Sequence, residues 1–265
     1  MIDEVQDSGR LPRDGIANTL LIAIGVSLVC SVLVTAAVML LRPLQLENEF
    51  FFKNRVGVLQ AAGLYERGAD LNKSFEVIDQ RIVDLATGEY TDVVPVDGFD
   101  PVAAAIDPEL NVAIPEDQDE ADLKRRAKYA LVSLVRSDDG VDQIILPVYG
   151  AGMWSTIRGY LAVSPDGQTV RGLYFYEHGE TPGIGDLIED PDWLAKWDGV
   201  KIYDDEGEAK LGVARRRVRA PFEVDAISGA TRTTRGVTNM LRYWMGPHGF
   251  GPYIQRIQNE ESVDG

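Results

Sequence analysis

The chain has 265 residues, with 42 acidic against 26 basic side chains and a formal net charge of −16. That balance excludes a general nucleic-acid binder, whose phosphate contacts need clustered Lys and Arg. A single cysteine, Cys30, excludes an internal disulfide and a multi-cysteine metal site, and with only His178 and His248 as imidazoles no metal ligand is expected.

From Gly15 to Leu41 the sequence GIANTLLIAIGVSLVCSVLVTAAVMLL carries no charge. As a helix, residues 17–41 would extend roughly 37 Å at about 1.5 Å per residue, enough for a hydrocarbon core of about 30 Å. A cleaved signal would have a shorter apolar region ending at small residues. Here Val38-Met39-Leu40-Leu41 continue past Thr35-Ala36-Ala37, so the stretch reads as a retained transmembrane helix over residues 15–42. Arg10 and Arg13 precede it, and Arg42, Lys53 and Arg55 follow, which leaves its orientation open.

Pro43 is expected to end or kink the span. Leu46, Phe50, Val56, Leu59 and Leu64 then recur at helical spacing, predicting a stalk helix within residues 43–68 that stops near Gly63 or Gly68. A second helix is expected over residues 73–85, closed by Thr87-Gly88. The Pro- and acid-rich residues 97–122 predict an irregular excursion. The basic cluster Lys124-Arg125-Arg126 with Lys128, after the acidic run Glu116 to Asp122, predicts a solvated helical face. Strands are expected over residues 129–135, 143–149, 158–163 and 170–176, with turns at Ser137-Asp138-Asp139-Gly140 and Pro165-Asp166-Gly167. The roughly 220 residues beyond the span suffice for one compact α/β domain.

Three stretches carry candidate chemistry. Tyr149-Gly-Ala-Gly-Met-Trp-Ser155 approaches the dinucleotide fingerprint, but Ser155 replaces the third glycine and the following residues predict a strand. Without a helix N-terminus it offers no pyrophosphate site, and a Rossmann site is rejected. Trp154 is either a wall of a ligand site or a core residue. Tyr176-Glu-His-Gly-Glu-Thr-Pro-Gly-Ile-Gly185 predicts a tight loop with Glu180 and Thr181 as polar contacts at its rim. The third stretch is Asp225-Ala-Ile-Ser-Gly-Ala-Thr231. Val237, Met240, Leu241 and Trp244 predict a helix starting near Thr233, capped by Thr233 or Thr234 and ending at Gly246-Pro247. Ser228-Gly229-Ala230-Thr231 then lies at a helix N-terminus, where backbone N–H groups favour an anion such as a phosphate. Thr231 has no base beside it in sequence, so any covalent load requires an outside enzyme.

The stretch 225–231 resembles the D-x-x-S/T-G-A-T flavinylation motif of the FMN-binding domain family. IPEDQDEADLKRRAKYALV, LPVYGAGMWSTIRGYLAV, YFYEHGETPGIGD, the tail GFGPYIQRI, the AAGL stretch at Ala61 and the single span are together similar to the C-type subunit family of Na⁺-translocating NADH:quinone reductases. The resemblance covers essentially the whole chain. It implies an α/β (α+β) FMN-binding domain with a mixed sheet, preceded by one transmembrane helix. It implies FMN joined to Thr231 by a phosphoester bond, with Ser228, Gly229 and Ala230 as recognition context. Glu180, Thr181, Gly183 and Ile184 would line the flavin, with Trp154 and Ser155 alongside. Ile184, Asp186-Leu187, Arg232 and Thr234 depart from the family's usual residues, which bears on flavin potential and pocket fit.

By the same resemblance residues 1–14 would be cytoplasmic and residues 69–265 periplasmic, on a bacterial inner membrane. The partners would be the other members of the six-subunit complex, those of types B, D and E above all, with a periplasmic flavin transferase for maturation. The implied role is electron relay between an iron–sulfur centre and another flavin in a sodium-pumping translocase, with no NADH oxidation of its own. The alternatives are the G-type subunit of an Rnf-type ferredoxin:NAD oxidoreductase and a membrane-tethered flavin-binding sensor.

Overall fold

The computed structural model describes residues 15–138 and 140–264, without the side chains of residues 17, 41–53 and 260–264. The expectations for residues 1–14, Asp139, and the Leu46 and Phe50 side chains lie outside this description. The chain divides into two units, Met1–Phe52 and Lys53–Gly265.

Helix α1 runs Ile16–Ala61, so the helix continues across Pro43 instead of ending there. Within it, Asn18–Leu40 is long and apolar enough to cross a membrane: 23 residues with a mean hydropathy of 2.6, none buried within the protein.

In the second unit, α2 (Leu71–Phe75) is capped by the Asp70 carboxylate, which accepts the Asn72 N–H at 3.0 Å. The chain then enters strand β1 (Ile78–Asp84). This corrects the helix expected over residues 73–85. Ile78, Ile82, Val83 and Leu85 imitate a helical period because both faces of this strand are covered. Ile82 packs toward Phe99 and Ala104, while its neighbour Val83 joins the main core. A strand buried on both sides loses simple alternation.

Helix α3 (Pro101–Ile106) starts on an Asp-Pro pair, with Asp100 accepting from Val102 N–H at 2.8 Å and proline at the first turn. Strands β2 (Asn111–Ala113) and β3 (Arg125–Ala127) pair antiparallel, so the basic cluster is not a helical face. Arg126 is buried and donates to the Ala127 carbonyl, and Lys128 Nζ donates to the Glu109 carbonyl. The expected strands appear as β4 (Tyr129–Ser137), β5 (Gly140–Ala151), β6 (Thr156–Val163) and β7 (Val170–Glu177). The main sheet has the order β1-β4-β5-β6-β7 and is antiparallel throughout; short hairpins join β4 to β7, while β1 reaches β4 across the long excursion of residues 85–128. After α4 (Pro191–Leu194), β8 (Gly212–Val213) and β9 (Glu223–Val224) supply the parallel pairing that mixes the architecture. Helices α5 (Thr231–Met245) and α6 (Gly251–Asp264) follow.

Alternate residues of β5 separate two layers. Ile144, Leu146 and Val148 face α5 and α6 with Leu161, Met240, Leu241 and Trp244, and Ile145 faces the end of α1 with Val58, Leu59 and Tyr160. Two glycines make these contacts close. A Cβ on Gly150 would lie 2.8 Å from Met240 Cβ, and one on Gly172 would lie 2.2 Å from the Ala61 carbonyl oxygen. The second neighbour is backbone and has no rotamer with which to yield. We therefore expect Gly172→Ala to destabilise the full chain by about 1–3 kcal/mol. In a thermal melt followed by near-UV circular dichroism, the midpoint should fall by about 2–4 °C for each kcal/mol lost.

Candidate functional site

Three connections converge at one end of the sheet. The β5–β6 hairpin turns tightly at Gly152–Ser155, where the Gly152 N–H donates to the Ser155 carbonyl at 2.8 Å. Strand β6 follows directly at Thr156, as the sequence predicts, so no helix N-terminus stands behind this glycine stretch. The loop after β7 folds around Thr181, whose carbonyl accepts the N–H groups of Ile184 and Gly185 at 3.2 and 2.8 Å. Gly183 has φ +75° there, the left-handed conformation that a side chain would oppose. The third connection is Ile227–Ala230, in which Gly229 has φ +80°. A Cβ on Gly229 would touch Ile184 Cγ2 at 3.4 Å, so the second and third connections abut.

Glu180 joins the first two to helix α5, which the third connection enters. It is buried, and its Oε1 accepts the Met153 and Trp154 N–H groups at 2.9 and 3.1 Å. Oε2 accepts the Thr233 hydroxyl on α5. A buried carboxylate is tolerable only with such donors. Glu180 was expected at the rim of the loop. It lies beneath it instead, because the N–H groups of the hairpin turn and a hydroxyl of α5 point inward at that place. Two contacts at the surface reinforce it: Trp154 Nε1 donates to Thr181 Oγ1 at 3.0 Å, and the Gly179 N–H donates to Ser155 Oγ at 2.6 Å.

Trp154 is 68% exposed, which removes it from the core and leaves an indole face standing on this platform. Met153, Ile184 and Leu187 are exposed apolar neighbours in the same connections. Thr181, Gly183, Ser228, Gly229 and Thr231 are exposed as well, whereas Ala230 is buried. The structure thus places the expected site residues on three adjoining connections and, for Thr231, at the first residue of the helix that the third one enters.

Helix α5 begins at Thr231, two residues before the expected start, and Ala230 occupies the cap position without a side-chain acceptor. Thr233 and Thr234 do not cap it. The Thr233 hydroxyl is committed to Glu180, and Thr234 Oγ1 donates backward to the Ala230 carbonyl at 3.0 Å. The first N–H groups of α5 are therefore left without a side-chain cap, beside the exposed Thr231 hydroxyl, and such a helix end favours an anion. Among the described residues no side chain bonds that hydroxyl. His178 is held within the loop: its Nδ1 accepts the Glu180 N–H at 3.2 Å and its Nε2 lies 2.9 Å from Glu189.

Sequence reasoning missed one group of residues. Arg215, Arg216, Arg217 and Arg219 line a groove of about 920 Å³ together with Thr231, Arg235 and Arg242. The run of arginines was visible in sequence; its meeting with α5 was not.

A family model described as FMN-binding domain matches residues 152–246, which contain all three connections. The C-type subunit of the Na⁺-translocating NADH-quinone reductase of Neisseria meningitidis serogroup A is 41% identical over 253 residues, covering 94% of this chain and 97% of the relative. The chain belongs to this C-type subunit family. The Pseudomonas aeruginosa member is 40% identical over 259 residues, covering 94% of this chain and 99% of its own length. Among solved structures, that of Shewanella oneidensis NqrC superposes with a TM-score of 0.73 at 36% identity, covering 80% of this chain and 98% of the other. The family member from Parabacteroides distasonis gives a TM-score of 0.63 at 26% identity, covering 81% and 96%. The chain thus combines the family's α/β FMN-binding domain with one apolar N-terminal helix.

Glu180→Ala would orphan the two backbone donors and the Thr233 hydroxyl. We expect a loss of order 3 kcal/mol, since each orphaned buried group costs about 1–3 kcal/mol before relaxation. Hydrogen exchange should accelerate at the Met153 and Trp154 amides. Glu180→Gln, which keeps an acceptor for both, should retain most of their protection.

Proposed function

We propose that the protein is a membrane-anchored electron-relay component of a Na⁺-translocating NADH:quinone reductase, with FMN joined to Thr231 by a phosphoester bond. The observation that carries this reading is the position of Thr231: exposed, first in an uncapped helix, and next to connections that present Trp154, Ile184 and Leu187 outward. These residues fit the cofactor. The N–H groups opening α5 suit its phosphate, and the apolar surface suits a planar ring. Bound there, FMN supplies the redox chemistry, while the chain supplies position and electrostatics. Ser228, Gly229 and Ala230 keep the approach to the hydroxyl open. Thr181, Gly183, Ile184, Trp154 and Ser155 border the ring, and Glu180 acts from below by holding their connections together.

With no base on the Thr231 hydroxyl, attachment falls to a flavin transferase. The domain of residues 69–265 would stand in the periplasm on the stalk of residues 43–68. Residues 1–14 would be cytoplasmic, on the other side of a span in the inner membrane. Electrons would pass between an iron–sulfur centre and a second flavin in neighbouring members of the complex, those of types B, D and E above all, as part of the sodium-pumping translocase. The near full-length match to C-type reductase sequences favours this complex over an Rnf-type one or an independent sensor.

Produced with a flavin transferase in an exporting host, the chain should carry an FMN-sized mass adduct and fluoresce in a denaturing gel. Thr231→Ala should abolish both and leave the thermal midpoint nearly unchanged, since an exposed hydroxyl without a partner contributes within about 0.5 kcal/mol. Fluorescence that survives the substitution moves the attachment elsewhere.

The hairpin at Gly152–Ser155 has no helix behind it, and the chain is strongly acidic. Both features disfavour a nicotinamide dinucleotide beside the flavin. Millimolar NADH under anaerobic conditions should therefore leave the flavin of the isolated protein oxidised, while dithionite reduces it. Saturable bleaching by NADH would turn the relay into a dehydrogenase.

A further inference from the structure

The groove beside Thr231 concentrates positive charge on a chain whose net charge is −16. Six arginines line it, at positions 215, 216, 217, 219, 235 and 242, with one carboxylate, Glu223. That carboxylate is already engaged: Arg219 donates to it through its backbone N–H and its guanidinium, which holds the Glu223 pKa below the ordinary range. Arg242 is tied to the carbonyls of Leu211 and Lys210 at 3.0 and 3.1 Å. Burial, with Arg219 and then Arg215 as like-charged neighbours, depresses its pKa. Arg215, Arg216, Arg217 and Arg235 have no carboxylate within ion-pair reach among the described residues.

Converging cations that the chain does not neutralise create a field for an anion from outside. The groove volume falls within the range of about 300–1,000 Å³ usual for small-molecule sites. Thr231 belongs to its lining, and Arg235 stands one helical turn along α5 from it. Thr231 thus sits on a seam, with apolar connections on one side and guanidinium groups on the other. Guanidinium groups bind phosphate oxygens through strong charge-assisted hydrogen bonds.

We propose that this arginine groove is an anion site for the phosphate of the flavin nucleotide carried at Thr231, so that the chain selects a phosphorylated flavin apart from any covalent bond. The proposal rests on the reading that FMN is attached to Thr231. It adds that the phosphoryl arm lies toward the arginines, leaving the ring on the side of Trp154 and Ile184. No bond is made or broken in this recognition.

The test uses the full detergent-solubilised chain with Thr231→Ala, in which no covalent flavin competes. Quenching titrations with FMN, riboflavin and FAD separate the sources of phosphate. FMN and riboflavin differ only in the phosphate, and FAD adds the adenylate of a donor dinucleotide. We expect FMN to bind at least about tenfold more tightly than riboflavin, with the preference eroded by salt. Adding Arg216→Gln, Arg217→Gln and Arg235→Gln together should remove the preference and leave the melt unchanged, because all three side chains are exposed. The corresponding triple Lys variant, which keeps the charge, should restore part of it. An arginine-dependent gain for FAD over FMN assigns the groove to the donor's pyrophosphate as well; equal affinities assign it to the FMN phosphate alone. Equal binding of FMN and riboflavin, no binding of either, or a preference that survives the Gln variant overturns the proposal. Failure of the parent reading shows separately, as the absence of a mass adduct on Thr231 in the otherwise unaltered chain after exhaustive treatment with the transferase.

Discussion

Glu180 accepts hydrogen bonds from Met153, Trp154 and Thr233, partners that lie 27, 26 and 53 residues away in sequence. Its carboxylate is buried, so each of these donors offsets a desolvation cost that water would otherwise cover. The consequence is geometric. The β5–β6 turn, the loop after β7 and the first turn of α5 cannot move independently without leaving a buried charge underbonded. The exposed surface of Trp154, Thr181, Ile184, Gly229 and Thr231 inherits its arrangement from this buried contact.

The open end of α5 follows from Ala230 at its cap position, which carries no side-chain acceptor. Thr233 lies inside the first turn, and its hydroxyl bonds Glu180. Thr234 donates backward to Ala230. A helix usually satisfies its first N–H groups with a side chain or solvent. Here both threonines are used for other purposes, and Thr231 is left as an accessible hydroxyl at a positive helix end. Behind it, α5 is locked to the sheet by Trp244 Nε1 donating to the Tyr149 carbonyl at 2.6 Å, and by Gly236, where a Cβ would strike the Ala151 carbonyl oxygen. Thr231 therefore projects from a rigid base.

Electrostatics divides the surface around Thr231 in a way that net charge conceals. An acidic chain repels polyanions at long range, yet one groove beside the hydroxyl gathers arginines from the run at 215–219 and from α5. They meet because β8 lies against α5, with the Val213 N–H donating to Thr238 Oγ1 at 2.9 Å. The charge count at −16 is a statement about the whole molecule; the groove is a local exception of the opposite sign.

Much of this was legible in sequence. The apolar run 18–40 needs only length and composition, and strands β4 to β7 follow from short apolar runs bounded by turn residues. The SGAT stretch and the tight loop at Gly183 are local patterns whose backbone demands are carried by their own glycines. What failed in sequence failed for one reason. Ile82 and Val83 face two different cores, Arg126 is buried beside β2, Thr233 bonds inward, and Glu180 lies beneath its loop, each because of a partner distant along the chain. Local pattern determined which residues form the apolar helix, strands β4 to β7 and the turn ahead of α5. Only the tertiary structure decided which side chains are buried as supports and which are presented, because burial and hydrogen-bond partners belong to the packed chain and not to its spacing.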